Sequence, residues 1–67
     1  MRMEILLNEI MRERNLTIRQ VAYMTKLPKS TISDIRSGRI SPRMDVMECL
    51  AAGLKVSISD LYDSPYK

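Results

Sequence analysis

The sequence predicts an all-α domain of five short helices. In several segments apolar residues recur at intervals of three and four, which is typical of helices that turn one face toward a core. Turn and capping residues separate these segments, among them Asn15, Pro28, Gly38 and Pro42. The only aromatic residues are three tyrosines, so the predicted core is built from aliphatic and methionine side chains.

The first helix is predicted from about Met3 to Arg14. Its apolar stripe repeats at three and four residues and consists of Met3, Leu6, Leu7 and Ile10. Ile5 falls outside this stripe, so we expect its side chain to be exposed. Asn15 should end the helix, because asparagine tolerates the left-handed conformation that often follows a last helical turn.

The second and third helices are separated by a tight turn. Thr17 is predicted to cap the second helix, which runs from Ile18 to Thr25 with inward residues Val21, Ala22 and Thr25. Pro28 presets a helical φ angle, so the third helix should begin there or at Lys29. Gly38 should end it.

The fourth helix has a long apolar side, which we interpret as core packing and not as a peptide groove: Met44, Met47, Leu50, Ala51 and Leu54. Gly53 costs roughly 1 kcal/mol relative to alanine inside a helix, so the last turn should either fray or pack tightly. Ser57 and Asp60 have the spacing of a capping box and predict a short fifth helix through position 62. The tail 63–67 is expected to be loose.

Positive charge is concentrated around the third helix. The whole chain has a formal charge of +3, whereas residues 26–43 contain five positive side chains and one negative, a sum of +4. The positive side chains are Lys26, Lys29, Arg36, Arg39 and Arg43. Ile32 and Ile35 share one face of the helix, and the opposite face carries Ser30, Ser33, Asp34 and Ser37. Such short polar side chains let a helix approach another surface closely, so this face is predicted to bind one.

Length and composition exclude several classes of protein. A chain of 67 residues forms one domain, residues 1–67, with little room for a deep catalytic pocket. Cys49 is the only cysteine and histidine is absent, so we expect no internal disulfide, no metal site, no cofactor and no enzyme. Cys49 lies opposite the apolar stripe and is interpreted as an exposed, inert thiol. Glu4 and Glu9 interrupt the N-terminal apolar stretch, which predicts a cytoplasmic protein without a signal peptide or membrane span.

Two segments, LTIRQVAYMTKLPKSTISDIRSG and SPRMDVMECLAAGLKVSISDLY, resemble the Cro/Xre-type, phage-repressor-like helix-turn-helix family over about residues 3–62. The features that carry the resemblance are Leu16-Thr17, Ala22, the run from Ser30 to Ser33, Gly38, Pro42, Leu50-Ala51 and Val56-Ser57. The resemblance implies a compact, lambda-repressor-like bundle of five helices. Its motif lies at about 17–38, and the second helix of the motif, at about 29–37, would enter the major groove of DNA.

The resemblance also implies roles for individual residues. By position, the base-facing residues would be Lys29, Ser30, Ser33 and Asp34. The phosphate-contacting residues would be Thr17, Ile18, Thr31, Arg36, Arg39 and Arg43. Lys26 stands where the family usually has a turn glycine, which implies either a left-handed lysine or a different turn.

Asp34 is the one acidic residue on the predicted base-facing surface. The hypothesis we favour is that its carboxylate accepts a hydrogen bond from cytosine N4. The alternative is that Asp34 pairs with a nearby lysine or arginine and only holds the helix.

The function implied is that of a sequence-specific, double-stranded DNA-binding regulator of transcription, a repressor acting as a homodimer. The candidate dimer contacts are Leu61, Tyr62 and Tyr66, although the two tyrosines could equally close the core. The alternative is an antitoxin-like protein interaction module in which DNA binding is secondary. The regulator is therefore expected to bind a palindromic DNA site, and the interaction module a protein partner.

Overall fold

A computed structural model describes residues 4–66, which form four α-helices, a 3-10 helix and two short strands. In chain order these are β1 (Glu4–Ile5), α1 (Leu7–Glu13), α2 (Ile18–Thr25), α3 (Lys29–Arg36), α4 (Met44–Leu54), the 3-10 helix (Ile58–Leu61) and β2 (Tyr62–Asp63). The mainly helical class is confirmed, but the described residues form four α-helices and not five. None of these helices is long and apolar enough to cross a membrane.

The core lies where α2 packs against both α4 and α3. Its buried side chains are aliphatic or methionine, as the sequence predicts: Leu7, Met11, Val21, Ile32, Ile35, Met47, Leu50, Ala51, Leu54 and Leu61. Each α-helix contributes to this cluster, and so does the 3-10 helix. Burial of these side chains is the main force that holds such short helices together.

The first helix begins later than predicted. α1 starts at Leu7, and Ile5 belongs to a strand instead. Ile5 is half-buried against the core, so the expectation that it is exposed was wrong. Met3, the predicted start, lies outside the described residues.

The strands explain this late start. β1 pairs antiparallel with β2, so that Glu4 lies opposite Asp63 and Ile5 opposite Tyr62. The Leu6 N–H also donates to the carbonyl of the 3-10 helix's last residue, at 2.8 Å. The two ends of the described chain are therefore joined by backbone hydrogen bonds, and Asp63 is not part of a loose tail.

The predicted fifth helix is a single 3-10 turn. The Ser57 N–H donates to the Asp60 carboxylate at 3.1 Å, the arrangement expected at a capped helix start. Tyr62, with φ −147° and ψ 159°, is already extended because it pairs with β1. The turn therefore stops before it can become an α-helix.

The predicted bounds of α2 and the start of α3 are confirmed. The Thr17 hydroxyl accepts a hydrogen bond from the Gln20 N–H at 3.1 Å, and the Gln20 side chain accepts one from the Thr17 N–H at 2.8 Å. This is a full capping box. Pro28 is extended, with φ −60° and ψ 148°, and α3 follows it at once.

Left-handed residues follow α1, α2 and α4; the one after α1 was predicted, and the one after α2 was one of two predicted alternatives. Asn15 has φ 54°, and Lys26 has φ 62° where the family usually has glycine. The Lys26 N–H donates to the Ala22 carbonyl at 2.8 Å, which closes the end of α2. This lysine costs on the order of 1 kcal/mol in backbone strain, which the packing of the two helices must offset.

Helix α4 departs from its predicted core face at one position. Met44, its first residue, is 65% exposed, so the interpretation of Met44 as core was wrong. Met47 is buried as predicted. Gly53 remains helical and lies so close to α2 that an added Cβ would stand 2.5 Å from the Met24 carbonyl oxygen. Of the two alternatives for Gly53, tight packing is the correct one.

Candidate nucleic-acid interface

Helix α3 presents the polar face that the sequence predicts. Ile32 and Ile35 are buried in the core. On the other side Ser30, Ser33 and Ser37 are exposed, and Asp34 is half-buried. Lys29, at the start of the helix, is also exposed. A helix of eight residues therefore offers small hydrogen-bonding groups to an approaching surface.

The predicted phosphate contacts lie around this helix in different environments. Thr31 is half-buried on its side. Ile18 is half-buried and packs against the core, so its side chain is turned away from solvent. Only the backbone N–H of Ile18, in the first turn of α2, could donate to an anion.

Arg39 and Asp34 form an ion pair that links the loop after α3 to the helix. The Arg39 guanidinium lies 3.6 Å from the Asp34 carboxylate. The Asp34 carbonyl accepts hydrogen bonds from the Arg39 N–H at 2.9 Å and from the Ser37 hydroxyl at 3.2 Å. Asp34 thus has the structural partner named in the alternative hypothesis, and Arg39 is drawn to the polar face.

Arg43 forms a second ion pair, at the start of α4. Its guanidinium lies 3.4 Å from the Asp45 carboxylate, at the first turn of α4. The Arg43 side chain is 83% exposed and that of Asp45 is 66% exposed. Solvent-exposed pairs of this kind contribute about 0 to 1 kcal/mol, so neither ion pair accounts for the stability of the fold.

A shallow depression of about 400 Å³ lies between α1, the loop before α2, and α3. Its lining residues are Asn8, Met11, Arg12, Asn15, Leu16, Thr17 and Arg36. Two of the predicted phosphate contacts, Thr17 and Arg36, therefore meet here. Arg12 joins them from α1, and no acidic residue is among these lining residues, all of which lie in the described range. Two arginines and the Thr17 hydroxyl make this lining attractive to an anion, although Arg12 also lines a second depression with Glu9 and Glu13.

Arg12 was missed by the sequence interpretation. It lies on the outer side of α1 next to Glu13, a pattern typical of an ordinary solvated helix face. One feature of the sequence could have indicated Arg12. It lies in the last turn of α1, a few residues before the predicted phosphate contact Thr17. That signal is weak without knowledge of how α1 packs against α3.

The three candidate dimer residues have different environments. Leu61 is fully buried in the chain's own core, so it has no surface to offer a partner. Tyr62 is half-buried against the core in β2, and Tyr66 is 90% exposed. Of the three candidates, therefore, only the two tyrosines are accessible to a partner.

Helix α3 exposes a polar face, is joined to α2 by a tight turn, and has arginines around it. This arrangement is that of a helix-turn-helix DNA-binding domain. Comparison with protein families agrees: residues 6–65 match the Cro/C1-type helix-turn-helix DNA-binding domain, and the chain belongs to that family. Searches of the curated proteins and of the solved structures found no significant match. The family resemblance seen in the sequence is confirmed.

Proposed function

We propose that this protein is a sequence-specific regulator of transcription that places α3 in the major groove of double-stranded DNA and acts as a repressor in the cytoplasm. The observation that carries the proposal is the exposed face of small polar side chains on α3 within a segment of net charge +4, residues 26–43. Positive charge attracts any duplex, whereas hydrogen bonds to base edges choose among sequences.

The proposed contacts divide between bases and phosphates. Lys29, Ser30 and Ser33 meet base edges, and Asp34 belongs to the same surface. The phosphate contacts are Thr17, the Ile18 N–H, Thr31, Arg36 and Arg43, with Arg12 added from the depression beside α3. Arg39 differs from these, because its guanidinium lies against Asp34 on the base-facing side.

Selection of bound sequences from a pool of random duplexes tests the proposal directly. We expect one consensus to emerge, and we expect the affinity for it to fall steeply as salt rises, because bound phosphates release counterions. Recovery of random sequences at every salt concentration would rule out sequence-specific binding.

Arg43→Ala should weaken binding to all duplexes about equally, because a phosphate contact carries no sequence information. The slope of log affinity against log salt should fall by about one for each lost contact, and the consensus should stay the same. Ser33→Ala is the reciprocal control. It should change the preference at one base pair and leave the salt slope intact. A changed consensus for Arg43→Ala would contradict its assignment.

Dimerisation is the next part of the proposal, since one short helix reads few base pairs and this family pairs half-sites about one DNA turn apart. Residues 44–67 carry four acidic and two basic side chains, so this end of the domain is repelled by DNA and available for a second copy.

Tyr66→Ser should weaken self-association measured by sedimentation. Tyr23→Ser is the matched control, because Tyr23 is also highly exposed, at 86%, but lies on α2. A monomer both free and on DNA would contradict the proposal.

The antitoxin-like interaction module is a second candidate, favoured by one observation. A depression of about 410 Å³ on the outer side of α2 is lined by Leu16, Arg19, Gln20, Tyr23 and Met24. Tyr23 and Met24 are consecutive residues that are both exposed, and they offer apolar area to another protein. Purification of a stoichiometric protein partner, together with no salt-dependent duplex binding, would favour this function over the first.

A further inference from the structure

Asp34 binds the residues that follow α3. Its carbonyl accepts the Arg39 N–H and the Ser37 hydroxyl, and its carboxylate faces the Arg39 guanidinium at 3.6 Å. Backbone and side chain therefore act together to bring Arg39 back over the polar face of α3. The Arg39 side chain remains 76% exposed, so the pair leaves most of it open to a partner.

The opposite charges of this pair explain how a carboxylate can lie on a DNA-binding surface. An isolated carboxylate there would be repelled by the phosphates, whereas a carboxylate beside a guanidinium forms a nearly neutral unit. The Asp34 carboxylate lies 3.6 Å from one terminal nitrogen of Arg39, Nη1. A guanidinium carries several N–H donors in a rigid fork, so donors remain for a second partner.

We propose that Asp34 is a positioning residue that holds Arg39 toward the base edges, and that Arg39 reads a guanine through its O6 and N7 atoms. This inference rests on the proposed DNA-binding function. It changes the roles predicted from the sequence, in which Arg39 contacts a phosphate and Asp34 itself accepts from cytosine N4. Arginine bound to guanine is the commonest specific contact in the major groove, and its two parallel hydrogen bonds need a guanidinium of fixed orientation.

The Arg43–Asp45 pair provides a matched control within the same chain. It is also an exposed arginine–aspartate pair, at 3.4 Å. Its carboxylate, however, also accepts the Val46 N–H at 2.8 Å and belongs to the first turn of α4, not to α3. Replacing either member of this pair should leave the choice of bases unchanged.

Selection from random duplexes with Arg39→Lys, Arg39→Gln, Asp34→Asn and the double variant Asp34→Asn/Arg39→Gln tests the assignment. Arg39→Lys keeps the charge but loses the fork, so the salt slope should stay while the preference for one base pair in each half-site falls by about 5- to 150-fold. Asp34→Asn should lose part of the same preference and bind random DNA more tightly. In the Arg39→Gln background, Asp34→Asn should change the consensus no further.

Two results would overturn the inference. If Arg39→Lys keeps the full consensus, Arg39 does not read a base. If Asp34→Asn still changes the consensus when Arg39 is glutamine, Asp34 reads the base itself. Arg43→Gln and Asp45→Asn, studied in parallel, should leave the consensus intact. The wild-type protein distinguishes failure of the proposed function from failure of this inference alone. If the wild type selects no consensus, the proposed function has failed, and this inference with it.

Discussion

Gly53→Val should unfold this domain or lower its free energy of unfolding by at least about 3 kcal/mol. A Cβ at position 53 would stand 2.5 Å from the Met24 carbonyl oxygen and 2.8 Å from the Thr25 Cα. Both of these atoms belong to the backbone of α2, so they cannot turn aside as the end of a flexible side chain could. Separation of α2 from α4 would open the core, because these two helices pack against each other along it.

Urea unfolding followed by circular dichroism measures this effect, and two further variants make the result specific. Gly53→Ala should also destabilise, although alanine is favoured over glycine in a helix by about 1 kcal/mol. Gly38→Ala is the control without a clash. Gly38 has φ +79° and nothing within 4 Å of an added Cβ, so only a backbone cost of about 1 to 2 kcal/mol is expected. A stabilised Gly53→Ala variant would contradict the close approach of the two helices.

The helices of the motif could be predicted because their signals are local. Thr17 precedes α2 and caps it, and Pro28 presets the start of α3. Neither signal depends on the rest of the fold, since each acts within one turn of its own residue. The buried positions of α3 followed from the spacing of Ile32 and Ile35 for the same reason.

The ends of the domain could not be predicted in the same way. Ile5 is held in a strand by Tyr62, from the far end of the chain, and no local pattern contains that pairing. The same pairing stops the last helical turn at Leu61. Met44 lies on the apolar stripe of α4, but as the first residue of that helix it extends beyond the core. Tertiary context decided each of these positions against the periodic pattern.

The site shows a similar division. The polar face of α3 and the surrounding positive charges could be predicted, because they belong to one contiguous segment. The Asp34–Arg39 pair depends on the left-handed turn at Gly38, which returns Arg39 to the end of the helix. Arg12 depends on how α1 packs beside α3. A sequence pattern specifies which side chains a helix exposes, but not which exposed side chains of different helices meet.

Simultaneous replacement of Arg12 and Arg36 by alanine should lower the affinity for every duplex by on the order of 100-fold at low salt. Each arginine offers a charge-assisted hydrogen bond to a phosphate, worth about 1.5 kcal/mol or roughly tenfold in affinity. The two side chains line one depression with Thr17 and without an acidic neighbour in its lining, so a single stretch of DNA backbone can meet both. The slope of log affinity against log salt should fall by about two for each domain bound.

Titration of labelled duplexes at several salt concentrations measures both quantities. Lys55→Asn is the matched control for lost charge, because Lys55 is exposed and follows α4 in a left-handed conformation that asparagine also adopts. The control should change the salt slope little, and neither variant should change the selected consensus. If Arg36→Ala lowers the slope while Arg12→Ala does not, α1 makes no contact with the phosphates. The interface would then be confined to the motif and the loop that follows it.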